Sequence, residues 1–346
     1  MGGNCLKHYG IETKRVDIDE FLSIQNDVAN RLKNSGFNVL TLPYYRSKRD
    51  FGDLDILVES GPDIQKHIVR LFSPDKISKN DGVYTFNYRD FQIDLISRRK
   101  DDLGNAHFYL SYNDLHNLIG RTAHHMGLKH GWQGLMFPIR QKLFDESTEN
   151  HSDHVINTLV LSKNPEEILE FLGYDYHRYE QGFDDLEDIF LYTVSTPYFN
   201  SFNFKIENLN HQNRTRNRKR KMFMGFLKWL EEHPEYDKKF DFGDKKDWID
   251  RINNKWPIKE QIEIERQKFL YIKQVRTKFN GELVMGWVNI SGPALGAILT
   301  SFKKYIHSIE NIDFLDWLYK NNAEYIKSIF ISWYEGIVKQ LDDLCE

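Results

Sequence analysis

The chain has 346 residues, 40% of them apolar and 28% charged, a composition typical of soluble globular proteins with two or three domains. No apolar run approaches the roughly 20 residues that span a bilayer, and the first ten residues, MGGNCLKHYG, lack the apolar segment of a signal peptide. The two cysteines, Cys5 and Cys345, stand at opposite ends of the chain, so the sequence predicts a cytoplasmic protein without membrane association and without a disulfide or cysteine–zinc framework.

The first predicted element is an amphipathic helix over residues 17–35. Its apolar side chains recur at helical spacing: Phe21, Ile24, Val28 and Leu32. Asp17 and Glu20 have the spacing of a capping box at the start of this helix, and Gly36 is a typical residue for its end. A strand is expected to follow at residues 37–42.

Further strands extend this into a predicted sheet. The segment FGDLDILV, residues 51–58, is a strand candidate, and a helix is expected between it and Pro74. The turn residues Asn80-Asp81-Gly82 predict a hairpin between two short strands, and FQIDLIS, residues 91–97, predicts another strand. Helices and strands in this order favour a mixed α/β sheet.

Two carboxylates interrupt the apolar strand at residues 51–58. Because strand side chains alternate between faces, Asp53 and Asp55 would share one face with Leu57. The opposite face would bury Leu54, Ile56 and Val58 in a core. Two carboxylates on one face repel each other unless a positive charge lies between them, and hard divalent cations prefer oxygen ligands. The alternative is a plain turn into a strand with exposed carboxylates.

A third carboxylate, Asp94, lies in the strand FQIDLIS. If the two strands are neighbours, Asp53, Asp55 and Asp94 converge, which suits a site with two Mg²⁺ ions, or Mn²⁺ in their place. Asp94 would complete one metal site and accept the proton of an attacking hydroxyl. The basic side chains just upstream would neutralise a triphosphate: Arg46, Lys48 and Arg49.

From about Asn105 the pattern is predicted to turn helical and to remain so. With a second boundary in the Asn-, Arg- and Lys-rich stretch after Tyr198, the predicted domains are residues 1–104, 105–200 and 201–346.

The histidines of TAHHMGLKH do not have the spacing of a familiar zinc site: His124, His125 and His130.

Several of these segments together resemble a known superfamily. YYRSKRDFGDLDILV and FQIDLIS resemble the palm of the DNA polymerase β-like nucleotidyltransferases, in particular family X polymerases, which have a basic turn, Gly-Asp-x-Asp and a later lone Asp. HFYLSYNDLHNLIGRTAHHMGLKHGWQGL resembles the family's aromatic hinge and nucleotide-facing helix, and NPEEILEFLGYDY resembles its closing segment. The resemblance covers residues 15–180. It implies an α+β fold, a nucleotidyltransferase palm of mixed sheet and helices followed by a thumb-like domain and a largely α-helical C-terminal region.

The resemblance also implies roles for individual residues. Asp53, Asp55 and Asp94 become the metal ligands. The nucleotide would be bound by Arg46, Ser47, Lys48, Gly52, Phe108, Tyr109, Asn117 and Arg121. For Phe108 and Tyr109 the alternative is core packing, and for Arg121 it is a solvated helix face. The chain departs from the family at Leu42-Pro43, which replaces a phosphate-binding Gly-Ser, since proline has neither a hydroxyl nor an N–H.

The segment RTRNRKRK, residues 214–221, is strongly basic although the whole chain has a net charge of −4. Its basic side chains are predicted to bind a nucleic-acid backbone: Arg214, Arg216, Arg218, Lys219, Arg220 and Lys221. The alternative is a solvated linker. Further on, FNGELVMGWVNISGPALGAILTSFKKYI resembles a helical segment of tRNA CCA-adding enzymes and poly(A) polymerases, which would favour an RNA substrate.

The sequence therefore predicts a metal-dependent nucleotidyltransferase that transfers nucleoside monophosphates from an NTP or dNTP to a nucleic-acid 3′-hydroxyl. A DNA polymerase-like enzyme and an RNA 3′-end enzyme are the rivals within this class. Two alternatives lie outside it: a toxin-like nucleotidyltransferase that modifies a protein or small molecule, and a non-catalytic nucleic-acid binder that retains the fold.

Overall fold

The computed structural model describes residues 5–61, 63–149 and 152–345, with side chains described through residue 340. The first four residues, on which part of the signal-peptide prediction depends, and Pro62 lie outside the described residues. The chain divides into two compact units, one formed by Met1–Ile139 with Asn157–Pro257 and the other by Arg140–Ile156 with Ile258–Glu346. In the part of the chain that is described, no helix combines the length and apolarity needed to cross a membrane.

Three sheets contain the ten strands of the described residues. The strands are β1 Val16–Asp17, β2 Val39–Thr41, β3 Asp50–Phe51, β4 Asp53–Glu59, β5 Ile77–Asn80, β6 Val83–Tyr88, β7 Phe91–Arg98, β8 Lys129–Gly131, β9 Gly134–Arg140 and β10 Val155–Ser162. The largest sheet has the order β2-β4-β7-β6-β5 and is mixed, because β4 and β7 run parallel while its other pairs are antiparallel. A short antiparallel pair joins β1 to β3.

The helices of the first unit are α1 Ile18–Asn34, α2 Ile64–Phe72, α3 Lys100–Leu110, α4 Leu115–His125, α5 Pro165–Phe171, α6 Tyr176–Glu180, α7 Leu186–Val194, α8 His211–Asn217, α9 Lys221–Glu232 and α10 Asp247–Lys255. The predicted start and end of α1 are confirmed. The Asp17 carboxylate accepts a hydrogen bond of 2.9 Å from the Glu20 backbone N–H, and Gly36 follows the helix with a positive φ of 89°.

Strand alternation divides the residues of the main sheet between two cores, of which the sequence predicts the one that contains Leu54, Ile56 and Val58. One face of β4 and β7 packs against α1 and α2, and this core includes Leu54, Ile56, Val58, Ile93 and Leu95. On the other face, Leu57 and Ile96 pack with Leu103 and Ala106 of α3. Both faces are covered along the middle of the strands, and Asp53, Asp55 and Asp94 are exposed or half-buried near the beginning of β4 and in the first half of β7.

The prediction of an all-helical chain after Asn105 is wrong. Strands β8, β9 and β10 form a three-stranded sheet in the order β10-β9-β8, and α3 already begins at Lys100. The segment GLMFPIR is apolar without helical spacing, and Gly134 has a φ of 123° where a Cβ would come within 2.3 Å of the Ser162 carbonyl oxygen. Glycine thus permits this close approach between strands. The predicted domain boundaries at residues 104 and 200 both fall inside the first unit.

The second unit is helical over most of its described residues. Its helices are α11 Lys259–Lys278, α12 Gly281–Val288, α13 Gly292–Glu310, α14 Phe314–Lys320 and α15 Ala323–Cys345. Their core is rich in aromatic side chains, with Phe302, Trp317 and Phe330 almost fully buried. The predicted α+β architecture, with a mixed sheet and a helical C-terminal region, is therefore confirmed.

Candidate active site

Three carboxylates converge at one end of the parallel strand pair. The register of β4 and β7 places Asp55 opposite Asp94 and Asp53 opposite Gln92. Asp53, Asp55 and Asp94 each offer a carboxylate oxygen, and these three oxygens lie within 4.8 Å of one another. The structure thus brings together the three aspartates that strand alternation predicts on one face.

Charge and burial make these carboxylates harder to ionise. Burial in the cleft and the negative charges of Asp53 and Asp94 hold the pKa of Asp55 well above its usual range, and the Lys48 ammonium only partly offsets this. Solvent still reaches the Asp55 side chain, although protein atoms crowd the cleft around it. Burial raises the pKa of Asp94 to about 6; the Thr85 hydroxyl opposes this, the charge of Asp53 adds to it, and the Gln92 amide opposes it. A bound cation would relieve this repulsion.

The donor set fits a hard divalent cation. Asp94 Oδ2 accepts a hydrogen bond of 3.0 Å from Gln92 Nε2, which fixes the orientation of the carboxylate. Its other oxygen, Oδ1, is buried and accepts no hydrogen bond from the described residues, so its lone pairs are available to a ligand. Oxygen-only coordination by carboxylates suits Mg²⁺. Among the described residues, this is the one group of three or more His, Cys, Asp or Glu side chains that is close enough to hold an ion.

The carboxylates of Asp53 and Asp55 open into a cleft of about 310 Å³, a size that accommodates a small ligand, and Asp94 lies behind them outside the cleft lining. Its lining comprises Phe21, Gln25, Leu42, Pro43, Tyr44, Lys48, Phe51, Asp53, Asp55, Leu110, Asn113 and Asp114. Leu42 and Pro43, which stand where the nucleotidyltransferases that the sequence resembles have Gly-Ser, lie beside the metal-ligand candidates. Gly52, also predicted to bind nucleotide, is buried and directly precedes β4.

Lys48 is the basic side chain of the cleft lining. Its ammonium lies 4.5 Å from the centre of the Phe51 ring and donates a hydrogen bond of 3.3 Å to Asn113 Oδ1. Burial lowers the pKa of Lys48, while the charges of Asp53 and Asp55 act in the opposite direction. This placement puts one positive charge close to the carboxylates.

Arg46 and Ser47 do not line the cleft. The Arg46 guanidinium forms an ion pair with Asp184 and donates to the Gln181 carbonyl oxygen. The backbone N–H of Ser47 donates a hydrogen bond of 2.8 Å to the Asp184 carbonyl oxygen. The basic turn is thus attached to the segment between α6 and α7, and only Lys48 of the predicted trio at residues 46–48 faces the carboxylates.

The aromatic pair predicted beside the incoming sugar lies in the interior. Phe108 is buried, with its ring centre 4.3 Å from that of His116 and 5.2 Å from that of Tyr179. Tyr109 is half-buried and its ring contacts His130. His116 Nδ1 and His130 Nε2 are 2.9 Å apart in the same cluster. These contacts agree with the alternative of core packing, and the cleft lining does not include either aromatic residue.

Asn117 and Arg121 contact a later segment of the chain. Asn117 Nδ2 lies 3.4 Å from Asn217 Oδ1, and Arg121 donates hydrogen bonds of 2.8 and 3.2 Å to the Asn203 carbonyl oxygen. Arg121 is buried, so it is not on a solvated helix face. Both side chains hold residues 203–217 against α4 and lie outside the cleft lining.

The basic residues at 214–221 fall into two groups. Arg220 forms an ion pair with Asp114, which lines the cleft, and Arg214 donates a hydrogen bond of 3.0 Å to the Leu209 carbonyl oxygen. The other four are exposed, and their charged groups make no ion pair, hydrogen bond or ring contact with any described residue: Arg216, Arg218, Lys219 and Lys221. The Asp114–Arg220 pair places this segment next to the cleft.

Sequence reasoning missed the loop before α4, although this loop forms one wall of the cleft. Tyr112 and Asn113 both adopt positive φ, 57° and 62°, and the Tyr112 N–H donates a hydrogen bond of 2.9 Å to the Pro43 carbonyl oxygen. Asn-Asp before a helix is a signal for such a turn, since these residues tolerate the left-handed region. Gln25, in the middle of α1, gave no comparable signal.

In comparisons with known proteins, no family model matches the chain and no curated protein matches it.

Proposed function

We propose that this protein is a metal-dependent nucleotidyltransferase that adds nucleoside monophosphates from an NTP or dNTP to a nucleic-acid 3′-hydroxyl. The hydroxyl oxygen forms a bond to the α-phosphorus, the bond from this phosphorus to the β-phosphate oxygen breaks, and pyrophosphate leaves. The observation that carries the proposal is the group of three carboxylates within 4.8 Å of one another on a parallel strand pair, two of which, those of Asp53 and Asp55, line a cleft. When bound there, two divalent ions would supply charge stabilisation to the attacking and leaving oxygens.

The chain's own residues have distinct tasks in this proposal. Asp53, Asp55 and Asp94 hold the ions, and Gln92 keeps the Asp94 carboxylate oriented. Asp94 is also placed to accept the proton of the attacking hydroxyl. Lys48 binds phosphate oxygens of the nucleotide from within the cleft, in the role that the resemblance gives to Arg46. The apolar and aromatic lining, which includes Leu42, Tyr44 and Leu110, limits the water that reaches the reacting groups.

The acceptor is proposed to be a nucleic acid because of the exposed basic segment beside the cleft. Four cations without protein partners among the described residues suit phosphodiester groups better than a protein or small-molecule acceptor. One observation favours a second candidate function, a non-catalytic nucleic-acid binder. Leu42 and Pro43 line the cleft where the family has Gly-Ser. Neither side chain has a hydroxyl, and proline has no backbone N–H to donate to a phosphate.

The test uses the full chain with 5′-labelled DNA and RNA primers, each NTP or dNTP in turn, and Mg²⁺. Elongated primer is expected with wild type and with the control Asp90→Asn, but not with Asp94→Asn or with a chelator present. Asp90 is exposed in the turn before β7 and has a φ of 58°, which asparagine tolerates. If the proteins bind the primer but none of them elongates it, the function is that of a non-catalytic nucleic-acid binder. The relative rates on DNA and RNA would identify the acceptor.

A further inference from the structure

Residues 202–221 run along α4 and are held to it at three points. Arg121, in the second half of the helix, bonds the Asn203 carbonyl oxygen. Asn117 contacts Asn217, and Asp114, immediately before the helix, pairs with Arg220. Each contact joins a later residue of the segment to an earlier residue of the helix. The segment therefore runs antiparallel to α4, from near its C-terminal part to the edge of the cleft that Asp114 lines.

An exposed aromatic ring stands at the far end of this segment. Phe202 is 53% exposed and is the one exposed phenylalanine among the described residues. Phe202 adjoins Asn203. The Phe202 carbonyl oxygen accepts a hydrogen bond of 2.8 Å from Asn208 Nδ2, which holds the Phe202 backbone in place. Arg121 lies seven positions after Asp114, a rise of about 10 Å along α4, so the Asn203 end of the segment is about 10 Å along the helix from the cleft edge.

Exposed cations occupy the part of the segment nearest the cleft. Arg216 directly precedes Asn217, the residue that contacts Asn117, and Arg218, Lys219 and Lys221 follow it around the Asp114–Arg220 pair. An exposed ring on a held backbone at one end and a row of unpaired cations at the other is the combination that binds unpaired nucleotides, because bases stack on rings while phosphates contact cations. A duplex keeps its bases stacked inside, so a duplex would meet the cations but leave Phe202 without a partner.

We propose that residues 202–221 are a binding track for single-stranded nucleic acid, with Phe202 as the platform for an unpaired base. This inference rests on the proposed function for its direction: the strand passes from Phe202 over the cations and delivers its 3′ end to the carboxylates. The acceptor is then an unpaired 3′ end, of DNA or RNA, rather than a primer paired to a template. Arg121 and Asn117 are positioning residues that hold the track.

The test measures binding by fluorescence anisotropy, without nucleotide and with chelator present, so that it is independent of catalysis. The probes are fluorescein-labelled single-stranded DNA, single-stranded RNA and duplex DNA of equal length. The wild-type protein is expected to bind a single strand more tightly than duplex. Phe202→Ala is expected to weaken single-strand binding roughly 5- to 150-fold, the effect of one stacked base, and Phe202→Trp to restore it. Duplex binding should be the same in all three proteins.

The control is Tyr9→Ala, since Tyr9 is also an exposed aromatic residue but lies beside Lys76 instead of the track. It should bind every probe as the wild type does. Unchanged single-strand binding by Phe202→Ala, or tighter binding of duplex by the wild type, would overturn the proposal. Comparison of the DNA and RNA strands identifies which nucleic acid the track prefers. Single-strand binding that depends on the Phe202 ring, in a protein that never elongates a primer, would support the track and refute the transferase. Primer elongation that Phe202→Ala does not change would support the transferase and refute the track.

Discussion

Asp55 and Asp94 are direct partners in the register of two parallel strands, although 39 positions separate them in the sequence. A directly opposed pair on one sheet face brings two carboxylates close together, and like charges in this arrangement are destabilising. The protein has this pair and Asp53 on the same face, beside the apolar cluster that Leu57 and Ile96 form with α3. The proposed metal site gives this unfavourable arrangement a chemical role.

Replacing Asp94 by asparagine should reduce nucleotide incorporation by at least roughly 10²–10⁴-fold, the range for loss of an acid–base group, because it also removes a metal ligand. The shape of the side chain is nearly unchanged, so circular dichroism and the hydrodynamic radius should match the wild type. The measurement is the initial rate of primer elongation, with Asp90→Asn as the matched control. A turnover rate equal to that of the wild type would remove Asp94 from the mechanism.

The same substitution should stabilise the protein in the absence of metal. In the folded protein the pKa of Asp94 is raised from 3.8 to about 6, so ionisation costs folding free energy at pH 7, and protonation below pH 6 removes that cost. Asp94→Asn should therefore unfold in urea with a free energy up to about 3 kcal/mol higher than wild type at pH 7. The difference should shrink as the pH falls from 7 towards 4. Saturating Mg²⁺ should stabilise the wild type more than Asp94→Asn, because the variant has lost a metal ligand. A difference that is independent of pH would contradict the proposed cost of ionisation.

Lys48 and Arg46 should differ in their effect on nucleotide affinity. Lys48 lines the cleft, while Arg46 pairs with Asp184 outside it. Lys48→Gln should raise the KM for the NTP roughly tenfold, the effect of losing one charge-assisted hydrogen bond of about 1.5 kcal/mol. Arg46→Gln should also be measured, and its effect on the KM for the NTP, expressed as a free energy, should be less than half of the effect of Lys48→Gln. Steady-state kinetics at saturating primer provides both values. A larger effect at Arg46 would restore the role that the family resemblance assigns to it.

The exposed cations should determine how binding depends on salt. The triple variant Arg216→Gln, Arg218→Gln, Lys219→Gln should flatten the log–log slope of primer affinity against salt by roughly 2 to 3, because fewer counterions are released. Arg220 is left intact because it pairs with Asp114. The control replaces three lysines that are exposed elsewhere in the first unit: Lys33, Lys66 and Lys76. Equal slopes for the wild type and the Arg216 triple variant would support a solvated linker.

Local periodicity predicted the carboxylate cluster but not the partners of the basic residues. Alternation along FGDLDILV and FQIDLIS assigns each side chain to a face without any knowledge of the rest of the chain, and the structure agrees at Leu54, Ile56 and Asp55. The partner of Arg46 is Asp184, 138 positions away, and no local pattern encodes that contact. The same limit applies to Arg220 and Asp114. The sheet of β8, β9 and β10 was missed because its strands lie between strongly helical segments.

The central claim is that Asp53, Asp55 and Asp94 hold divalent cations for nucleotide transfer, and direct counting of bound ions tests it best. Electron paramagnetic resonance of free Mn²⁺, titrated into protein with a non-hydrolysable NTP analogue, gives the number of ions bound and their affinity. The account predicts two ions per chain for wild type and for Asp90→Asn, with at least one of them lost in Asp94→Asn. No binding to the wild type, or equal binding by the wild type and Asp94→Asn, would contradict it.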